Sequence, residues 1–122
     1  MEEEEYVKPE KLRVLLIPYN KEPEVIEIDN KLEAMQALVG GLIQAVHVES
    51  DGDDGAGVDV WCNEEFLMLY PEQRNRMVIT AGEIGYPLWI HGPFYVARTD
   101  DDGNTLSLTD ADIKKYSQVY RL

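Results

Sequence analysis

The sequence predicts an α+β fold: a mostly antiparallel sheet of about five or six strands with two short helices packed on it. Three observations carry this. Only two segments, 31–39 and 110–120, combine apolar residues at helical spacing with capping residues. Most of the remaining apolar residues fall in short β-branched or alternating runs, separated by Gly, Pro, Asn and Asp. No regular succession of strand and long helix builds a parallel sheet.

Taken in order, residues 1–11 hold four consecutive glutamates and little that packs, so they are expected to form a mobile acidic tail ahead of a single domain, 12–122. Leu12 to Pro18 reads as a strand buried on both faces, and 24–29 as its hairpin partner after the turn at 19–23. Asn30 is placed to cap a helix, with Glu33 reaching back as the third residue of a capping box. Leu32, Met35, Leu38 and Val39 then form its packed stripe, and Gly40-Gly41 its left-handed end. Strand composition resumes at 42–48 and at 58–62, around an exposed loop at 49–57. The register between 63 and 98 is left open. Met77 to Thr80 suits a short strand, 81–87 a loop punctuated by glycine, and 88–98 two strand pieces broken at Gly92-Pro93. A tight turn at 100–104 and a brief extended piece at 106–108 lead to Thr109 and Asp112, which cap a helix burying Ile113, Tyr116, Val119 and Tyr120.

The 122 residues suffice for one core. No apolar run approaches the roughly 20 residues of a membrane span, and the N-terminus lacks the shape of a signal peptide, so a cytoplasmic location in a bacterial host cell is expected. Cys62 is the only cysteine and the two histidines are far apart, too few ligands for structural zinc; no cofactor is expected.

Charge is the extreme feature. Net charge is −13, and between Leu32 and Gln73 there is no Lys or Arg, while nine acids fall inside that window. A second stretch without bases, 99–113, carries Asp100, Asp101, Asp102, Asp110 and Asp112. Such a field repels nucleic-acid phosphates and anionic membranes and attracts basic surfaces. Acidity that only solvates the protein is the competing reading.

Motifs for chemistry mostly fail. Loops beginning at Asp51 and Asp100 look like calcium loops, yet put Ala56 and Cys62, or Thr105 and Ala111, where Gly and Glu are needed. Gly82 and Gly85 lack dinucleotide-loop spacing. Cys62 has His47 and His91 as conceivable bases, but nearby Glu64 and Glu65 oppose a thiolate, so a buried inert thiol is expected. Adjacent carboxylates on a strand, Glu64 with Glu65 or Asp53 with Asp54, point to opposite faces rather than into one pocket. No enzymatic activity is expected. One cluster stands apart: Asn63, Glu64, Arg74, Asn75 and Arg76 include the donor types that grip a phosphate or a base edge, so an anionic nucleotide is a candidate ligand. The alternative is that the asparagines shape turns and the arginines pair with Glu64, Glu65 or Glu72.

A set of landmarks runs in order along the chain: Val14 to Ile17; Val25-Ile26-Glu27-Ile28-Asp29-Asn30; Leu32 through Gly41; Cys62-Asn63-Glu64-Glu65; Pro71; Asn75-Arg76; Gly92; and Leu106 through Ile113. Together they resemble a family of small phage and mobile-element domains of unknown function from Gram-positive bacteria. The acidic tail, the loop at 49–57 and the segment 81–90 depart from that pattern. The resemblance implies a fold and a setting in which small accessory proteins often inhibit host defence.

The function expected is therefore a non-enzymatic counter-defence protein, a nucleic-acid mimic that blocks a basic host protein surface such as a defence nuclease. Asp51, Asp53, Asp54, Asp100, Asp101 and Asp102 are its expected partner-binding residues, at loop tips where carboxylates can imitate phosphates. No direct nucleic-acid or membrane contact is expected. The alternative is a binder that sequesters an anionic nucleotide signal through the Arg and Asn cluster.

Overall fold

The computed structural model describes residues 7–52 and 55–122. Along them run β1 (Lys11–Ile17), β2 (Glu24–Asp29), α1 (Leu32–Val39), β3 (Ile43–Ser50), β4 (Gly57–Asn63), α2 (Phe66–Leu69), β5 (Arg74–Ile79), β6 (Pro87–His91), β7 (Phe94–Thr99), β8 (Thr105–Leu106) and α3 (Asp110–Val119). Six strands form one antiparallel sheet in the order β2-β1-β7-β4-β3, with β8 also pairing β7; β5 and β6 form a separate two-stranded sheet. The fold is α+β.

Side-chain alternation assigns the two faces of the main sheet. Leu15 and Ile17 of β1, Val58, Val60 and Cys62 of β4, and Phe94 and Val96 of β7 face one way, where Val78 and Ile90 of the β5–β6 hairpin, Tyr116 of α3 and Tyr120 just past its end cover them. Leu12, Val14, Tyr95 and Ala97 face the other way, against Met35 and Val39 of α1. β1 and β7 are therefore apolar on both sides, which is why Leu12 to Ile17 reads as a nearly unbroken apolar run.

Several local expectations are corrected. Asn30 is not the cap of α1. The helix starts one turn position later, with Lys31 at the cap and no side-chain cap bond, while buried Asn30 donates its Nδ2 to the Pro9 carbonyl and its N–H to that of Glu10. Leu32, expected in the core, is 55% exposed, because α1 lays only Met35 and Val39 fully down and Leu38 partly. Val119 is likewise exposed on α3, while Tyr116 and, just past the helix, Tyr120 are buried. The cap of α3 is as read, a reciprocal pair between Thr109 and Asp112. Lys11, placed in the tail by sequence, is the first residue of β1 and pairs with Asp29. Residues 1–6 of the expected tail lie outside the described residues.

The open register resolves simply. β5 begins at Arg74, not at Met77, and a bulge between Arg74 and Arg76 sends those two side chains to different environments.

Candidate functional site

Ser50 of β3 pairs with Gly57 of β4, Gly57 with Thr99 of β7, and Thr99 with Thr105 of β8. This row sets the β3–β4 turn and the β7–β8 turn side by side at one end of the sheet. Gly57 is required there: a Cβ would lie 1.8 Å from the Glu49 carbonyl oxygen, and its φ of +152° is one that other residues rarely take. The close approach follows from the bulge in β3 between His47 and Glu49.

The expected partner-binding aspartates divide into groups with different duties. Asp53 and Asp54 lie outside the described residues. Asp51 accepts from Arg98 Nη1 at 2.7 Å. Asp100 closes its own turn, accepting from the N–H groups of Asp102 and Asn104 and from Asn104 Nδ2; these bonds, led by the Asn104 side chain, hold its carboxyl below the usual carboxylate range. Asp101 and Asp102 are exposed, and among the described residues no hydrogen bond or ion pair reaches their carboxylates.

Arg98 organises what lies beneath. Its Nε and Nη2 meet the two Asp112 oxygens at 2.6 and 2.9 Å, and Glu49 Oε2 lies 3.8 Å from Nη2. Burial alone would raise the Asp112 carboxyl, but the bonds from Arg98 and Thr109 outweigh it and hold the group below its ordinary value. Glu49 also accepts from Lys115 Nζ at 2.5 Å and Tyr116 Oη at 2.6 Å, which lower its pKa; burial first, and then the bond to Glu49, raise that of Tyr116. The bases at this end are thus bonded into the scaffold.

A third arrangement escaped the sequence. His47 Nδ1 is 2.6 Å from Asp59 Oδ1, His47 Nε2 is 2.9 Å from Ser50 Oγ, and Thr99 Oγ1 donates to Asp59 Oδ2 at 2.7 Å. The order Ser–His–Asp is that of an acyl-transfer triad. Yet the backbone N–H just after Ser50, that of Asp51, is engaged by the Ala56 carbonyl at 2.9 Å, and the chain of bonds spans the β3 bulge, which it pins to β4 and β7. Only the hairpin register, pairing His47 with Asp59, carried a signal for it.

The proposed nucleotide cluster does not converge. Arg76 is 7% exposed, and its guanidinium donates to the carbonyls of Tyr120 (3.0 Å), Pro18 (3.1 Å) and Lys21 (2.6 Å) and to Asn75 Oδ1 (2.6 Å). Asn75 Nδ2 donates to the Ile17 and Gly92 carbonyls, and Asn63 Nδ2 to that of Val39, while Asn63 Oδ1 accepts from the Glu65 N–H. Arg74, on the other side of the bulge, lies 4.5 Å over the exposed Trp89 ring, and Glu64 faces solvent. The ion pairs expected with Glu64, Glu65 or Glu72 are not what holds Arg76; backbone carbonyls are. Asn63, Asn75 and Arg76 are internal staples, because a buried carbonyl left unpaired costs more than an exposed ion pair returns.

A family model described as Domain of unknown function (DUF3846) matches residues 12–121. The chain belongs to this family. No curated protein and no solved structure matches it. Within that span the landmark residues Asn63, Asn75, Arg76 and Gly92 act on architecture. Gly92 has a φ of +74° and lies so close to Tyr70 that a Cβ would be 2.3 Å from its ring. Tyr70 Oη in turn donates to the Val39 carbonyl that also takes the Asn63 amide. Cys62 is fully buried, and burial pushes its thiol up to about 11, the reverse of an activated nucleophile. Among the described residues no group of three or more His, Cys, Asp and Glu side chains is arranged to hold a metal, and no helix is long and apolar enough to cross a membrane.

Proposed function

We propose that this protein is a non-enzymatic binder that blocks a basic, nucleic-acid-binding partner by presenting carboxylates where that partner meets phosphates. The observation that supports the reading is the row Ser50, Gly57, Thr99 and Thr105, which brings two separately encoded acidic turns to one end of the sheet. A sheet end where, among the described residues, nothing bonds the Asp101 and Asp102 carboxylates, with a net charge of −13 behind it, steers a basic groove toward that end over about a Debye length. The family resemblance supplies the setting: a phage or mobile-element accessory protein in the bacterial cytoplasm, with a host defence nuclease as the class of partner. The nucleotide-sequestering alternative finds little support in the Arg and Asn cluster: the Asn63, Asn75 and Arg76 donors are bonded within the chain, and Arg74 lies apart over Trp89.

The test is a capture from bacterial host lysate at low and high salt, with the protein carrying Asn at 51, 53, 54, 100, 101 and 102 as comparator. A nucleic-acid-binding protein retained by the parent at low salt and not by the comparator supports the proposal. Equal retention by both rejects the loop aspartates as the contact.

A further inference from the structure

β3 is one margin of the main sheet, and among the described residues no strand pairs its outer side. The Leu42 carbonyl accepts from Glu64 N–H at 2.8 Å, and Gln44 and Val46 stand opposite Cys62 and Val60. In an antiparallel ladder the main-chain groups alternate, so Leu42, Gln44 and Val46 turn theirs toward β4, while Ile43, Ala45 and His47 turn theirs outward. The His47 carbonyl confirms the phase: it accepts from Ala81 N–H, 2.9 Å away, in the loop after β5. Among the described residues, that is the one outward bond on this stretch, so the N–H and C=O of Ala45 stand open.

Exposed edges invite pairing unless they are guarded, and charge is the usual guard. β2, the opposite margin, carries Glu24, Glu27 and Asp29. The stretch from Leu42 to Val48 carries no Asp, Glu, Lys or Arg. Two shallow hollows meet at Gln44 on this edge. One, of about 270 Å³, is bounded by Glu64, Glu65, Leu67 and Met68; the other, of about 320 Å³, by Ala45, Tyr86 and Leu88. Alternate side chains of an added strand would enter these hollows, the arrangement by which strand addition gains both affinity and selectivity.

We propose that the open edge of β3 accepts an extended, basic and apolar segment of a partner protein as an additional antiparallel strand. Charge selects this occupant. From Leu32 to Gln73 every Asp, Glu, Lys or Arg is acidic, and Glu64 and Glu65 border the hollow itself. A second copy of the chain would bring another net charge of −13 against the first. The inference shares with the proposed function only the basic character of the partner, and it does not use the loop aspartates.

A fluorescein-labelled heptapeptide alternating lysine and valine tests it on the full chain, by anisotropy and by amide hydrogen exchange read by NMR. In the free protein Ala45 N–H should exchange about tenfold or more faster than Gln44 and Val46 N–H, and the peptide should slow it by a similar factor. N-methylation of alternate peptide nitrogens, in either phase, should abolish binding in one of the two phases, and Glu64→Gln with Glu65→Gln should weaken it about tenfold. The Asn variant of the six loop residues should retain binding, which separates this edge from the loop reading. The inference is overturned by an absence of binding, by binding indifferent to N-methylation in both phases, or by sedimentation showing a dimer of this chain that itself protects Ala45.

Discussion

Arg98 and Asp112 meet through two charge-assisted hydrogen bonds, 2.6 and 2.9 Å long, that fasten the first turn of α3 to β7 directly beneath the acidic turns. Asp112 also completes the helix cap by accepting from the Thr109 N–H at 2.9 Å. One carboxylate thus fixes both the start of α3 and its place on the sheet. Asp112→Ala should cost about 3 kcal/mol in urea unfolding, because it leaves a mostly buried guanidinium short of a partner. A loss under about 0.5 kcal/mol would show that Asp51 and Glu49 suffice to hold Arg98.

The same pair sets a pH dependence. The folded Asp112 and Glu49 carboxyls sit below their ordinary values of 3.8 and 4.5, so the unfolded chain takes up protons first as pH falls. Their stabilisation is full at neutral pH and is lost as acid titrates the folded groups. The stability gap between parent and Asp112→Asn should therefore hold steady from pH 7 to about 5 and shrink below about pH 4. An unchanged gap at pH 3 contradicts the assignment.

Arg76 and Arg74 are close in sequence and opposite in consequence. Arg76→Ala strands the Pro18, Lys21 and Tyr120 carbonyls and should cost about 3 kcal/mol or more. Arg74→Ala, whose side chain only lies on an exposed indole, should cost less than about 1 kcal/mol. Chemical denaturation of both variants decides the matter; comparable losses would refute the staple role of Arg76.

On α1, Met35→Ala should destabilise by about 2 to 5 kcal/mol and Leu32→Ala by no more than about 0.5. The contrast checks the face of the helix, since the sequence placed both side chains in the core and the structure buries only Met35.

Ser50 is predicted not to behave as a catalytic nucleophile. A fluorophosphonate probe at neutral pH should leave it unlabelled, and Ser50→Ala should keep the fold. Labelling that vanishes on His47→Gln would establish an acyl-transfer site where the geometry reads as a pin across a bulge.

The strands that bury two faces and the α3 cap were legible in the sequence, because periodicity and capping are local properties. So were both acidic turns. The duties of Asn30 and Arg76 were not legible. Asn30 bonds to Pro9 and Arg76 to Tyr120, partners 21 and 44 residues away, and no local rule distinguishes a cap or an anion grip from a staple of that kind. The Asn63, Arg74, Asn75 and Arg76 cluster read as a site because an arginine beside an asparagine offers the same donors to a carbonyl as to a phosphate. Only the bulge after Arg74, which sends one guanidinium outward and the other into the fold, separates the two uses.

The central claim is that the paired acidic turns stand in for phosphates. Its most direct test is displacement: a fluorescein-labelled DNA duplex is bound to a basic, non-sequence-specific bacterial DNA-binding protein, and this protein is titrated in while anisotropy is followed. The parent should release the duplex at low salt and lose most of that ability by about 0.15 M, while the variant with Asn at 51, 53, 54, 100, 101 and 102 should need about ten to a hundred times more protein. A variant that displaces DNA as well as the parent does, or a parent that fails to displace it at low salt, contradicts the account.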